Sequence, residues 1–171
     1  FKEMKKRIRL DTAENDAVCL AKLLAKKAKI PASNVGISGS IMLGIHVRNS
    51  DIDLIIHGKE DSIKVYNALK ILDSEGIIQR YSKNALKTLY DFRVIDSQVK
   101  FDQFIKIENK KLLQGEFRGR EYFIRLLKTP SEYCEKYGDK HYYPLKIVEL
   151  EAEIEDIRES IFTPCEYTIK S

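Results

Sequence analysis

The chain is poor in the residues that mark extracellular, fibrous or membrane-embedded proteins. Its three cysteines, Cys19, Cys134 and Cys165, form no C-x-x-C pair and cannot all pair internally. A disulfide framework is therefore not expected, and a reducing cytoplasm is the expected compartment. Eight glycines and four prolines, thinly spread over 171 residues, exclude a collagenous or low-complexity chain. No window approaches the roughly 18 apolar residues of a membrane span, so no membrane partner is expected. The opening FKEMKKRIRL is basic, but Asp11-Thr12-Ala13-Glu14-Asn15 follows where the apolar core of a signal peptide would stand. A chain starting at Phe1 is expected to be a fragment or a processed form.

What is present is an ordinary balance of 43% hydrophobic and 33% charged residues, enough for one domain with a real core and a small appendage. Charge is distributed unevenly. The formal net charge is +4, yet residues 146–171 hold three basic and seven acidic side chains, leaving 27 basic and 19 acidic before them. A basic surplus of this kind attracts polyanions such as nucleotides or RNA, although a solvated lysine-rich surface gives the same count.

Apolar periodicity predicts a helix over 12–29, with Asp11 and Glu14 forming a capping box and Pro31 closing it. A short buried strand follows at 35–38, breaks at Gly39-Ser40 into about one helical turn, and leads to a second strand over 51–56. A helix over 61–75, capped by Asp61 or Ser62, precedes a strand over 77–81 and a short helix over 82–90. Residues 93–99 suit a hairpin, whereas 101–114 fit helical spacing up to Gly115. A strand follows at 122–127. Val148, Leu150, Ala152 and Ile154 alternate with four glutamates, which predicts a half-exposed strand, and Cys165, Tyr167 and Ile169 alternate likewise.

The chemically informative stretch runs from Gly36 to Ile56. Asp51 and Asp53, two apart on a predicted strand, project from one face beside an apolar run, where two unpaired carboxylates are costly to bury. A divalent cation resolves that conflict, and hard Mg²⁺ prefers carboxylate oxygens while keeping positions open for substrate phosphates. Upstream, Gly39-Ser40 stands where a strand turns into a helix. Glycine there lets a phosphate approach the backbone, and the Ser40 hydroxyl adds a hydrogen-bond partner.

Gly39-Ser40 after one strand and Ser50-Asp51-Ile52-Asp53-Leu54 on the next resemble the signature of the DNA polymerase beta-like nucleotidyltransferase superfamily. The motif covers 36–56, and the flanking elements extend the resemblance over roughly 1–128. It implies an α+β fold, a mixed sheet with flanking helices, over 1–130, followed by a small β-rich extension over 131–171. It further implies transfer of a nucleoside monophosphate from a nucleoside triphosphate to a hydroxyl on RNA, a small molecule or a protein, with release of pyrophosphate. Asp51 and Asp53 would be catalytic and bind Mg²⁺ or Mn²⁺, while Gly39 and Ser40, with Arg48, would bind the nucleotide. The superfamily usually adds a third carboxylate from a later strand. Glu121 is the first candidate, Asp102 the second, and Arg125 stands there if neither fits. Small members acting in toxin–antitoxin pairs commonly carry arginine three residues after the serine, where this chain has Leu43. Segments 117–125 and 161–165 also resemble a group of predicted archaeal nucleotidyltransferases, which implies no known substrate.

The remaining residues are less specific. His46, His57 and His141 lack metal-ligand spacing. His46 and Arg48 fit either a phosphate contact or a surface loop, and Cys19 a small core position. Tyr133, Tyr137, Tyr142 and Tyr143, set among lysines, fit the packing of a small β unit better than base stacking. Arg118 and Arg120, read as alternate positions on one strand, are further phosphate candidates. The alternative to an enzyme is a catalytically silent nucleic-acid-binding or regulatory module on the same fold.

Overall fold

The computed structural model describes residues 10–94, 99–133 and 138–170. The basic opening, most of the proposed 93–99 hairpin, Cys134 and Tyr137 lie outside them. Helix α1 (Thr12–Ala28) begins with the expected capping box: the Glu14 amide donates to Asp11 Oδ1 at 2.8 Å, and the Asp11 amide donates to Glu14 Oε2 at 3.2 Å. Ala17, Leu20, Ala21 and Leu24 form its wholly buried stripe. Strand β1 (Val35–Ile37), the one-turn helix α2 (Gly39–Leu43) and strand β2 (Ile52–His57) follow.

Helix α3 (Lys59–Ser74) starts earlier than Asp61, after Gly58. Its cap is remote from it in sequence: the Lys59 amide donates to the Glu132 carboxylate at 3.0 Å, 73 positions away, so no local pattern announced it. Helix α4 (Lys83–Arg93) is capped by Ser82, whose hydroxyl accepts from the Ala85 amide. Helix α5 (Phe101–Glu108) stops well short of 114. The last residue assigned to it, Gln114, instead opens strand β3 (Gln114–Phe117), paired with β4 (Arg120–Leu127). Gly115 explains the switch. A Cβ on it would fall 2.3 Å from the Gln79 carbonyl oxygen, so this glycine permits close approach of a neighbouring backbone and does not end a helix. That neighbour, around Gln79, contributes one bridge to Glu116 where a full strand over 77–81 was expected.

The sheet order is β1-β2-β4-β3, with β2 and β4 parallel and the outer pairs antiparallel. This is an α+β arrangement: a mixed sheet with flanking helices. Helices α1 and α3 pack on one face. On that face Ile52, Leu54 and Ile56 of β2 meet Tyr122, Ile124 and Leu126 of β4, none more than 1% exposed. The opposite face carries the alternate residues, half-buried or exposed. No described helix is long and apolar enough to cross a membrane.

Beyond β4, strands β5 (Glu153–Asp156) and β6 (Thr168–Lys170) form a two-stranded ladder. The expected strand from Val148 is shorter than its pattern, and 141–152 has no regular structure. An alternating strand needs a surface for its apolar side, and Leu145, Val148 and Leu150 are exposed. Tyr142 and Tyr143 are exposed too, so they do not pack a β unit. The segment between the two strands returns to the main body. Phe162 is buried in its core, and the Thr163 amide donates to the Leu126 carbonyl at 2.9 Å.

Candidate functional site

Register builds the site. Because β2 and β4 run parallel with Asp53 opposite Phe123 and Ile52 opposite Tyr122, alternation puts Asp51, Asp53, Glu121, Phe123 and Arg125 on the open face. Glu121 also lies opposite Glu116 of β3. Carboxylates from three neighbouring strands thus share one end of the face. Like charges in such positions repel, and the titration of the group reflects it. Burial raises the Asp53 carboxyl above its ordinary range and neighbouring Asp51 raises it further, partly offset by Arg125. Burial likewise raises Glu121, with Asp51 and Glu116 adding to the effect.

The Gly39-Ser40 turn abuts this cluster. The Ser38 amide donates to the Asp53 carbonyl at 2.9 Å, extending the β1–β2 ladder by one bond before α2 begins. Gly39 follows at φ +63°, and a Cβ there would lie 2.0 Å from Asp53 Oδ2. Both the backbone angle and the proximity require glycine. The sequence motif therefore corresponds to one physical contact, a bare backbone laid against a carboxylate.

The cluster also borders a cleft of about 620 Å³, lined by Asp51, Glu121, Arg48 and Arg118 among others. Gly39, Ser40 and Asp53 do not line it, so Arg48 stands with the cleft and not with the glycine turn. Arg118 and Arg120 do not share a strand face as expected. Arg118 (φ +55°) and Gly119 (φ +75°) are the two-residue turn between β3 and β4, both in the left-handed region that such hairpins use. Arg120 is committed to structure. Its guanidinium donates to the carbonyls of Arg48 (2.8 Å) and Ser50 (2.7 Å) and pairs with Asp16 at 3.3 Å. It fastens the loop before Asp51 to α1.

Three further expectations resolve. Asp102 lies in the first turn of α5 and not on a strand, so it takes no place on the carboxylate face. His46 sits in a loop anchored to the start of α1, its Nε2 2.6 Å from Asp11 Oδ2. Cys19 packs partly buried against the core, as expected of a small apolar residue.

Sequence reasoning missed Tyr81. The Gln79–Glu116 bridge brings its segment beside β3, and its phenol is pushed up to about 12 by burial, with Glu121 and Asp51 contributing and Arg93 opposing. Position 81 alternates with the bridged Gln79, but only the pairing shows which strand it joins. Among the described residues, no three or more His, Cys, Asp or Glu side chains form a ready-made metal cage. The donors present are carboxylate oxygens, which suit a hard cation shared with substrate oxygens better than a closed structural site.

Comparisons with known proteins add a single relative and no family. No family model matches, and neither does any solved structure. The chain is 28% identical over 148 residues to MJ1086, an uncharacterised protein of Methanocaldococcus jannaschii. That match covers 86% of this chain and 44% of the relative, so the chain spans less than half the length of the protein it resembles.

Proposed function

We propose that the chain is a nucleotidyltransferase with the polymerase beta-like fold, moving a nucleoside monophosphate from a nucleoside triphosphate to a hydroxyl acceptor. One observation carries the reading: Asp51, Asp53 and Glu121 share the open end of two parallel strands, with the Gly39 backbone against Asp53. Asp53 and Glu121, whose protonation is favoured by burial and by the Asp51 charge, form with Asp51 a site of unbalanced negative potential, which fits a divalent cation such as Mg²⁺ or Mn²⁺. Asp51 and Asp53 would hold that cation, which when bound offsets the charge that develops on phosphoryl oxygens.

The chain's own residues do the rest. Gly39 and Ser40 receive the triphosphate at the turn whose missing Cβ lets the backbone lie against the Asp53 carboxylate, and the Ser40 hydroxyl donates to a phosphate oxygen. Glu121 accepts the proton of the attacking hydroxyl, and its raised affinity for protons suits it to that task. A bond forms between the hydroxyl oxygen and the α-phosphorus. The bond from that phosphorus to the oxygen bridging to the β-phosphate breaks, and pyrophosphate leaves with the electron pair. Most of the acceleration would come from positioning and electrostatics. The basic surplus over residues 1–145 favours RNA as acceptor.

A silent nucleic-acid-binding module is the second reading, favoured by the lack of a preformed metal cage among the described residues. Calorimetric titration with each of the four ribonucleoside triphosphates, in Mg²⁺ and in EDTA, separates the two. The enzyme reading expects Mg²⁺-dependent binding of a triphosphate to wild type, lost in Asp53→Asn, and turnover lowered by about a thousandfold or more in that variant. Binding that ignores both Mg²⁺ and the substitution would refute it.

A further inference from the structure

We propose that the cleft beside Asp51 and Glu121 is a phosphate-recognising site for the acceptor, read by Arg48 and Arg118. The proposal rests on the transferase reading for the word acceptor, but the site itself stands on separate observations. The first is composition: a cleft of about 620 Å³ is lined by Asp51 and Glu121, by Arg48 and Arg118, and by the Asp16–Arg120 ion pair. Asp51 and Glu121 belong to the catalytic face. The arginines do not neutralise them: among the described residues, no ion pair joins Arg48 or Arg118 to Asp51 or Glu121.

The second observation is how the arginines are held. Arg120 grips the carbonyls of Arg48 and Ser50, so the loop that carries Arg48 is fixed relative to Asp51. Arg118 projects from the tight β3–β4 turn with its guanidinium 5.2 Å over the Phe117 ring. Its one carboxylate partner among the described residues, Asp16, is 3.7 Å away and is shared with Arg120, which is closer. The Arg118 side chain remains 54% exposed. A planar guanidinium placed in this way, with donors left over, matches a phosphate oxygen pair. Thr12 and Asn49 add neutral hydrogen-bonding groups to the lining.

The third is position. Glycine turn and cleft meet different members of the carboxylate cluster, since Gly39 lies against Asp53, which does not line the cleft, while Glu121 and Asp51 do. A triphosphate seated at Gly39 leaves the cleft for the molecule that brings the hydroxyl to Glu121. Two guanidiniums there select acceptors that carry phosphate near the reacting hydroxyl. Two sources share that chemistry, the end of an RNA strand and a small phosphorylated sugar.

The test uses the full chain and three probes in metal-free buffer: a fluorescein-labelled RNA hexamer, ribose 5-phosphate and ribose. Anisotropy reads the first, and calorimetry the others. Wild type is expected to bind a phosphate-bearing probe and to ignore ribose. Arg48→Gln and Arg118→Asn should each weaken that binding about tenfold, and each should lower the salt slope for RNA by about one. Asparagine tolerates the left-handed turn, so the second variant keeps its fold, checked by circular dichroism. Mg²⁺-triphosphate binding should be retained in both variants. Binding of the hexamer alone assigns a polymer, whereas binding of ribose 5-phosphate as well assigns recognition of the phosphate group itself. Failure of both phosphate probes, or loss of triphosphate binding in step with them, overturns the acceptor site. A wild type that binds a phosphate probe but no triphosphate leaves the phosphate site standing and overturns the transferase reading.

Discussion

The two faces of the sheet are made by the same two strands, residue by alternate residue, and they are built to opposite ends. Toward α1 and α3, Ile52, Leu54 and Ile56 interleave with Tyr122, Ile124 and Leu126 and exclude water almost entirely. Toward the open side, burial and the neighbouring Asp51 charge raise the affinity of Asp53 and of Glu121 for protons. A face selected for stability alone would not gather carboxylates at one end and lay a bare glycine against one of them. The packed face therefore stabilises the fold against a cost borne by the other, as the proposed function requires of a site face.

The sharpest way to separate the faces is to damage each by one residue. Leu54→Ala removes a fully buried side chain next to Asp53 and should cost about 2–5 kcal/mol, read from the urea midpoint at unchanged slope. Triphosphate binding per folded molecule should be unaltered at low temperature; a parallel loss would mean the two faces are not independent. Gly39→Ala is expected to be milder for the fold and harsher for the site. A Cβ 2.0 Å from Asp53 Oδ2 at a φ of +63° forces the turn or the carboxylate to move. The cost should be about 1–3 kcal/mol, with nucleotide binding lost while the circular dichroism spectrum stays that of the wild type.

How much of this could be read from residues follows from the range of each interaction. The α1 capping box, the α1 stripe and the Asp-x-Asp alternation depend on neighbours within about one turn or one pleat, so sequence carries them. Glu121 was reachable because alternation along β4 and β2 has the same period, although its place opposite Asp51 needs the parallel register. Features decided by distant partners were not legible. The Lys59 cap comes from Glu132, the approach of the Gln79 backbone makes Gly115 part of a strand, and Arg120 is spent on two carbonyls and Asp16. The arginine pair at 118 and 120 was misread because a two-residue turn and a continued strand share the same spacing. The acidic alternation around Val148 follows a strand pattern, but only Glu153–Asp156 finds a partner strand.

The smallest expected effect is the most diagnostic of the open face. Glu121→Gln keeps the shape and removes one charge from beside Asp51 and Glu116, so it should stabilise the metal-free protein while slowing transfer. The side chain is only partly buried, and solvent screening limits the gain to a few tenths of a kcal/mol. Its pH dependence has a definite sign. The folded-state affinity of Glu121 for its proton is raised above the ordinary value of 4.5, so the folded chain holds that proton at pH values where the unfolded chain has released it. Stability then falls as pH rises through the window just above 4.5, and the penalty is complete at neutral pH. The variant's advantage should accordingly be present at pH 7 and vanish below about pH 4.5, where wild-type Glu121 is protonated in both states. Thermal unfolding of the two proteins in EDTA across that range measures the difference directly. An advantage independent of pH would trace to packing and would remove electrostatic strain as the distinction between the two faces.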